Sequence, residues 1–139
     1  MRYLLLTFLL AASAPQAALA QAAVGRWQSD KPLNAEELKK DISALQEAVK
    51  LNPGDTELYI RLGFAYAKLE QADDAQKAFE TAVRLDPKKA IAHYMLGLIY
   101  EKKGLREKAL AAWQACLENA AEHHLRETAL KHLHHLRVN

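Results

Sequence analysis

The chain has 139 residues, of which 50% are hydrophobic and 26% are charged, a composition typical of one globular domain and unlike that of a disordered tail or a fibre. Its formal net charge of +2 at pH 7 provides no net field for binding nucleic acid. Cys116 is the single cysteine, so no internal disulfide can form and the hydrophobic core must stabilise the fold. We expect Cys116 to be a small buried packing residue, with a disulfide-linked dimer as the alternative.

Residues 1–20 have the features of a secretory signal peptide. A basic start precedes a short apolar core at residues 4–12, and Ala-Leu-Ala at residues 18–20 forms a small-x-small site, so we predict cleavage between Ala20 and Gln21. The apolar core is shorter than the roughly 20 residues that a bilayer span needs. The mature protein is therefore expected to be exported without a membrane segment, to the periplasm of a Gram-negative bacterium or otherwise to the medium. An uncleaved signal anchor is the alternative.

Two elements are predicted before the central part of the chain. Residues 21–33 contain a glycine and a proline, which predict an N-terminal linker. Trp27 in this linker is interpreted either as a tether that packs on the domain or as a short recognition element. Asn34 begins an Asn-Ala-Glu-Glu capping box, which predicts an opening helix over residues 34–52. Apolar residues recur along it at helical spacing: Leu38, Ile42, Leu45 and Val49.

Residues 55–87 and 89–121 share a pattern that repeats after 34 positions. Such a period, with residue size kept at each matched position, predicts two stacked helical hairpins. The matched pairs are Leu62 with Leu96, Gly63 with Gly97, Tyr66 with Tyr100, Ala75 with Ala109, Phe79 with Trp113 and Ala82 with Cys116. Glycine costs about 1 kcal/mol in a helix, so we interpret each matched glycine as space for the backbone of a neighbouring helix.

This pattern resembles the tetratricopeptide-repeat family. One unit matches at Tyr59, Leu62, Gly63, Tyr66, Ala75, Phe79, Ala82 and Pro87, and a second at His93, Leu96, Gly97, Tyr100, Gly104, Ala109, Trp113 and Cys116, with Ala121 where proline is usual. An amphipathic closing helix is predicted over residues 122–138. The resemblance implies an all-α domain over residues 34–138, built as a right-handed α-solenoid of antiparallel helical hairpins with six helices and about three repeat equivalents.

The resemblance also implies a concave groove lined by the first helix of each unit, which receives a peptide or helix from a partner protein. The corresponding positions here are Glu57, Ile60, Arg61, Phe64, Ala67, Lys68, Ile91, Tyr94, Met95, Leu98, Glu101 and Lys102. The groove is expected to be apolar at its centre and to meet a carboxylate or an acidic rim through its basic residues. Burying five apolar side chains contributes roughly 7 to 15 kcal/mol, against at least about 4 kcal/mol for association, which predicts micromolar binding.

The expected function is that of a non-catalytic adaptor, scaffold or assembly factor outside the cytoplasm, which binds an apolar or amphipathic segment. One alternative is that the opening or closing helix covers the groove. Another is self-association, in which two copies bury the groove in a homodimer. A third, implied by resemblance alone, is an accessory role in c-type cytochrome assembly. The sequence contains no phosphate-binding loop, nucleophile elbow or zinc-helix motif, so neither enzyme activity nor a cofactor is expected.

Five of the six histidines lie between His123 and His135. On one helix only His132 and His135 lie close enough to share an ion, and a firm metal site usually needs three or four protein ligands. We therefore predict surface and packing roles for these histidines rather than a metal site. His93 takes the large-residue position of its repeat, which favours a packing role for it as well.

Overall fold

The computed structural model describes residues 34–138, and all regular secondary structure in this range is helical. The six helices are α1 (Ala35–Leu51), α2 (Thr56–Lys68), α3 (Ala72–Leu85), α4 (Ala90–Lys102), α5 (Arg106–Asn119) and α6 (His123–Val138). The predicted all-α fold is therefore confirmed. The predictions for the signal peptide, its cleavage between Ala20 and Gln21, the linker and Trp27 lie outside the described residues. Within the described range, no helix combines the length and apolar character needed to cross a membrane.

Local hydrogen bonds explain where the first two helices begin. The Asn34 side chain accepts from the Glu37 amide at 2.8 Å, while the Glu37 carboxylate accepts from the Asn34 amide at 3.3 Å. This reciprocal pair is the predicted capping box, which satisfies amides that have no partner within the helix. Asp55 begins α2 in a similar way, because its carboxylate accepts from the Glu57 amide at 2.9 Å.

The tight turns between the two helices of each hairpin use left-handed backbone at equivalent positions. Gly104 has a φ of 70° and Glu70, 34 residues earlier, has a φ of 59°. The amide that follows each of them donates to the carbonyl of Tyr66 or Tyr100, at 2.9 and 2.8 Å. These are the hydrogen bonds of a Schellman motif, for which glycine is the favoured residue. Glu70 therefore carries a conformational cost that Gly104 avoids.

The helices pack in chain order, each against the next, and α4 also contacts α6. Short connections between successive helices make neighbours antiparallel, so α2 with α3 and α4 with α5 form the two predicted hairpins. In α6 the predicted apolar stripe faces inward, since Leu125, Ala129 and Leu133 are buried. The contact between α4 and α6 shows that the closing helix extends the row of first helices rather than leaving the array.

Each repeated glycine makes room for an aromatic ring. A methyl group built on Gly63 would lie 2.6 Å from the Phe79 ring, and one on Gly97 would lie 2.6 Å from the Trp113 ring. Both rings are fully buried. The interpretation that these glycines admit a neighbouring backbone is therefore wrong, because the nearest atoms belong to the ring of the second helix in the same hairpin. The matched Gly-aromatic pairs are thus a steric unit of the repeat.

Tyrosine hydrogen bonds at matched positions join each hairpin to the helix that precedes it. Gln46 Nε2 donates to the Tyr66 hydroxyl at 2.9 Å, and the Tyr100 hydroxyl donates to Glu80 Oε1 at 2.8 Å. Gln46 and Glu80 lie 34 residues apart, as do the two tyrosines. Burial, reinforced by the bond to Glu80, raises the pKa of Tyr100. The neutral phenol therefore serves as a stable link between hairpins.

Cys116 is fully buried in α5, so its predicted packing role is confirmed. Burial raises the pKa of its thiol, which lowers the fraction of reactive thiolate. A disulfide-linked dimer through this residue would require the core to open. Asp41, which replaces the alanine found at Ala75 and Ala109, is also buried.

Candidate functional site

The residues predicted to contact a partner fall on one face of α2 and one face of α4. Spacings of three and four residues place side chains on the same side of a helix, and Ala67 from α2 lines a common cleft with Leu98 and Lys102 from α4. We call this face the α2/α4 surface. It comprises Glu57, Arg61, Phe64, Ala67, Lys68, Ile91, Tyr94, Met95, Leu98 and Lys102.

The exposed fraction of their side chains divides the predicted apolar contacts into two groups. The apolar side chains Phe64, Ile91, Tyr94, Met95 and Leu98 are partly buried and pack against the core, which leaves part of each accessible. Ile60 is the exception among the predicted apolar contacts, because it is only 5% exposed and belongs to the core cluster. It therefore offers a partner almost no surface, contrary to its predicted place in the groove.

A cleft of about 250 Å³ lies where α2 ends and α3 begins, against the last turn of α4. Its walls include alanines from three positions, and the short side chains are the reason for the open volume. The lining residues are Ala67, Glu70, Ala72, Ala75, Leu98, Ile99 and Lys102. The cleft is large enough for one bulky apolar side chain, with the Lys102 ammonium at its edge.

Buried aromatic rings hold the accessible ones in place. The Phe64 ring meets the Phe79 ring edge to face, with centroids 5.4 Å apart, and the Tyr94 ring meets Trp113 in the same way at 5.3 Å. Such pairs contribute about 0.5 to 1.5 kcal/mol beyond the area they bury. Phe64 and Tyr94 are therefore preorganised, which reduces the entropy lost when a ligand packs on them.

Two acids, Glu57 and Glu70, lie at or beside this surface, and they differ in their partners. Glu57 forms an ion pair with Lys89, and this hydrogen bond raises the pKa of the Lys89 ammonium. By contrast, Arg61 and Lys102 form no ion pair with any residue of the described range 34–138. Arg61 and Lys102 can therefore meet an acidic group of a ligand, and Glu70 is the acid among the residues that line the cleft with Lys102.

Glu101 connects three helices through one carboxylate. The indole N–H of Trp113 donates to Glu101 Oε1 at 2.7 Å, and His132 Nδ1 lies 2.9 Å from both carboxylate oxygens. The His132 ring also stacks on Trp113, with centroids 4.3 Å apart and planes inclined by 17°. Sequence reasoning compared the histidines only along their own helix and missed this contact, which joins residues 31 positions apart.

His132 does not present its Nδ1 atom to a shared ion with His135, because Glu101 occupies it. In the part of the chain that the structure describes, no three His, Cys, Asp or Glu side chains are grouped as metal ligands. His93 is partly buried, and its Nε2 atom lies 2.7 Å from the Pro87 carbonyl oxygen. Its role therefore combines packing with a link to the preceding loop.

Comparison with known proteins supports the family resemblance of the repeat. The family model described as tetratricopeptide repeat matches residues 60–124. The chain is 34% identical over 84 residues to the BBSome complex member BBS4 of Bos taurus, covering 60% of this chain and 16% of that protein. It is 41% identical over 61 residues to the cytochrome c-type biogenesis protein CcmH of Escherichia coli, covering 44% of this chain and 17% of that protein. The chain thus spans about a sixth of the length of these relatives.

Among solved structures, the fold is similar to that of the type III secretion chaperone SycD of Yersinia enterocolitica, in complex with a peptide of the translocator YopD. The TM-score is 0.76 at 16% sequence identity, over 91% of this chain and 95% of the other. This likeness supports the α-solenoid architecture predicted from the repeat.

Proposed function

We propose that the protein is an exported, non-catalytic adaptor or assembly factor, whose α2/α4 surface binds an apolar or amphipathic segment of a partner protein. One observation carries this proposal: Phe64 and Tyr94 are partly exposed and held by ring contacts, and Leu98, which is also partly exposed, lines an open cleft on the same surface. Preorganised aromatic and aliphatic side chains around a pocket are the usual anchors of protein recognition. The signal-peptide pattern of residues 1–20 supports export.

The exposure of these side chains limits the affinity that apolar contact alone can provide. Full burial of one such side chain contributes about 1.5 to 3 kcal/mol. Four of the partly buried side chains, Phe64, Ile91, Tyr94 and Leu98, have roughly half of that free energy left to gain on binding. The apolar contribution is then roughly 3 to 6 kcal/mol, which is close to the minimum cost of association. Micromolar binding therefore needs polar contacts as well, and Arg61 and Lys102 are placed to supply them.

The similar proteins support this class of function without identifying the partner. SycD is a translocator chaperone whose structure contains a peptide of YopD, which supports peptide binding by this fold. CcmH is a cytochrome c-type biogenesis protein, which favours a second candidate function, an accessory role in c-type cytochrome assembly. An absorbance titration of the purified protein with haem tests direct haem binding. An unchanged haem spectrum would show that the protein does not bind haem directly.

Introducing negative charge at the apolar centre of the α2/α4 surface tests the main proposal. The variant carrying Phe64→Glu and Leu98→Glu should lose capture of the partner from an envelope extract while keeping its helical circular dichroism. A matched control carries Leu51→Glu and Leu85→Glu, since these leucines are already exposed at the ends of α1 and α3. Capture that survives in the first variant, or is lost equally in the control, contradicts the assignment of the surface.

The alternative to partner binding is a homodimer that buries the same surface. Sedimentation of the processed protein at micromolar concentration distinguishes these two functions. A dimer that dissociates when Phe64 is changed to glutamate supports the homodimer, whereas a monomer argues against it.

A further inference from the structure

A second cleft lies on the other side of the last turn of α4, between α4 and α6. It consists of two adjoining hollows of about 230 and 360 Å³ that share Glu101 and His135. We call it the α4/α6 cleft. Its principal lining residues are Glu101, Gly104, Arg106, Lys131, His135 and Leu136. It adjoins the α2/α4 surface, because Glu101 and Lys102 are consecutive residues and each lines one of the two clefts.

The α4/α6 cleft contains two cations and one acid whose oxygens are already engaged. The Glu101 carboxylate accepts from Trp113 and contacts His132 through both oxygens, so most of its acceptor capacity is already used. Arg106 forms no ion pair within residues 34–138. The cleft therefore presents a guanidinium whose hydrogen-bond donors can face a ligand.

Lys131 supplies a second cation at this cleft. It forms an ion pair with Glu127 at 3.0 Å, but both side chains are mostly exposed, at 72% and 53%. An exposed pair of this kind is worth at most about 1 kcal/mol, so a ligand carboxylate can replace Glu127 at little cost. Arg106 and Lys131 come from different helices and converge on Glu101 and His135.

We propose that the α4/α6 cleft binds a carboxylate-bearing part of the partner, next to the apolar side chain held at the α2/α4 surface. The recognised segment is then an amphipathic peptide whose acidic residues lie a few positions from its apolar anchor. This inference rests on the proposed function and supplies the polar contribution that apolar burial lacks. The concave shape and the small number of cations favour a single peptide carboxylate over a flat anionic membrane surface.

Two matched peptides test this inference. One is a short fluorescein-labelled peptide of leucine, alanine and glutamate, and the other has glutamine in place of glutamate. Fluorescence anisotropy should show that the wild-type protein binds the glutamate peptide roughly 5-fold to 10-fold more tightly, and less so at high salt. The variant with Arg106→Gln and Lys131→Gln should bind both peptides equally.

A control variant removes the same net charge elsewhere. Lys39→Gln with Lys77→Gln breaks two exposed ion pairs of the same kind, on α1 and α3, and should keep the preference for glutamate. Equal binding of the two peptides by the wild-type protein overturns the inference, and so does an equal loss of preference in the control. Anionic phosphatidylglycerol vesicles form a further arm. Vesicle binding that depends on Arg106 and Lys131, without a peptide preference, also overturns it in favour of a lipid surface.

The same titrations separate this inference from the proposed function. Binding of the glutamine peptide reports on the apolar surface alone and should be lost in Leu98→Glu. If the glutamate peptide binds through Arg106 and Lys131 and Leu98→Glu leaves that binding unchanged, the apolar assignment fails while the assignment of the α4/α6 cleft stands. If neither peptide binds, both proposals fail.

Discussion

Replacing Gly97 by alanine tests whether the repeat depends on a glycine packed against an aromatic ring. The added methyl group would lie 2.6 Å from Trp113, well inside ordinary contact distance. Trp113 cannot move away easily, because it is fully buried, donates to Glu101 at 2.7 Å and stacks on His132. Either the ring shifts and strains these contacts, or α4 moves away from α5.

The expected cost follows from two opposing terms. Overfilling a well-packed core costs about 1 to 3 kcal/mol, while alanine gains about 1 kcal/mol over glycine in a helix. The 2.6 Å contact meets a ring that its neighbours hold in place, which puts the overfilling cost in the upper part of that range, at about 2 to 3 kcal/mol. The free energy of unfolding of Gly97→Ala should therefore fall by roughly 1 to 2 kcal/mol. Gly63→Ala should behave in the same way, since its added methyl group would also lie 2.6 Å from a ring, that of Phe79.

Urea denaturation followed by circular dichroism measures this difference, with Gly54→Ala as the control. Gly54 lies in the loop before α2, and no atom comes within 4 Å of a methyl group built on it. Gly54→Ala should be neutral or stabilise by about 0.4 to 1 kcal/mol through the unfolded state. If Gly97→Ala is as stable as the wild-type protein, the steric explanation of the repeated glycine is incorrect.

Four other predictions follow from the structure and sequence. Glu70→Gly should raise the free energy of unfolding by about 1 kcal/mol by relieving left-handed backbone, and Gly104→Ala should lower it by a similar amount, both measured by urea denaturation. Glu101→Ala should lower the free energy of unfolding by about 1 to 3 kcal/mol, because it leaves the buried indole N–H of Trp113 without its acceptor. An unchanged free energy of unfolding in urea denaturation would contradict this prediction. Cys116 should react with Ellman's reagent only as fast as the protein unfolds, since its thiol is buried with a raised pKa; rapid labelling of the folded protein would contradict its place in the core. Mass spectrometry of the protein exported from a Gram-negative host should find Gln21 at the N-terminus, and an intact first residue would exclude cleavage.

The sequence predicted the fold because its information on the fold is local and periodic. The capping box at Asn34 uses residues three positions apart, and the repeat places glycine and aromatic residues at fixed intervals, so both are readable without coordinates. The reason for Gly63 and Gly97 was not readable, since a glycine indicates close approach but not which atoms approach. Only the structure shows that aromatic rings occupy the space.

The candidate site was predicted less completely. The positions carried over from the family resemblance lie on α2 and α4, but burial depends on neighbouring hairpins, and Ile60 belongs to the core. The contact between Glu101 and His132 depends on how α6 packs on α4, which helical periodicity within one helix cannot indicate. The α4/α6 cleft follows from that same packing, so it too became visible only in three dimensions.

Photo-cross-linking from the α2/α4 surface tests the central claim most directly. A photoreactive phenylalanine analogue at position 98 should cross-link the exported protein to a partner, whereas the same analogue at the exposed position 85 should not. The adduct from position 98 should disappear when Phe64 is changed to glutamate in the same chain. Equal adducts from both positions, or an adduct from position 98 that persists in the Phe64→Glu background, would show that partners bind elsewhere on the molecule.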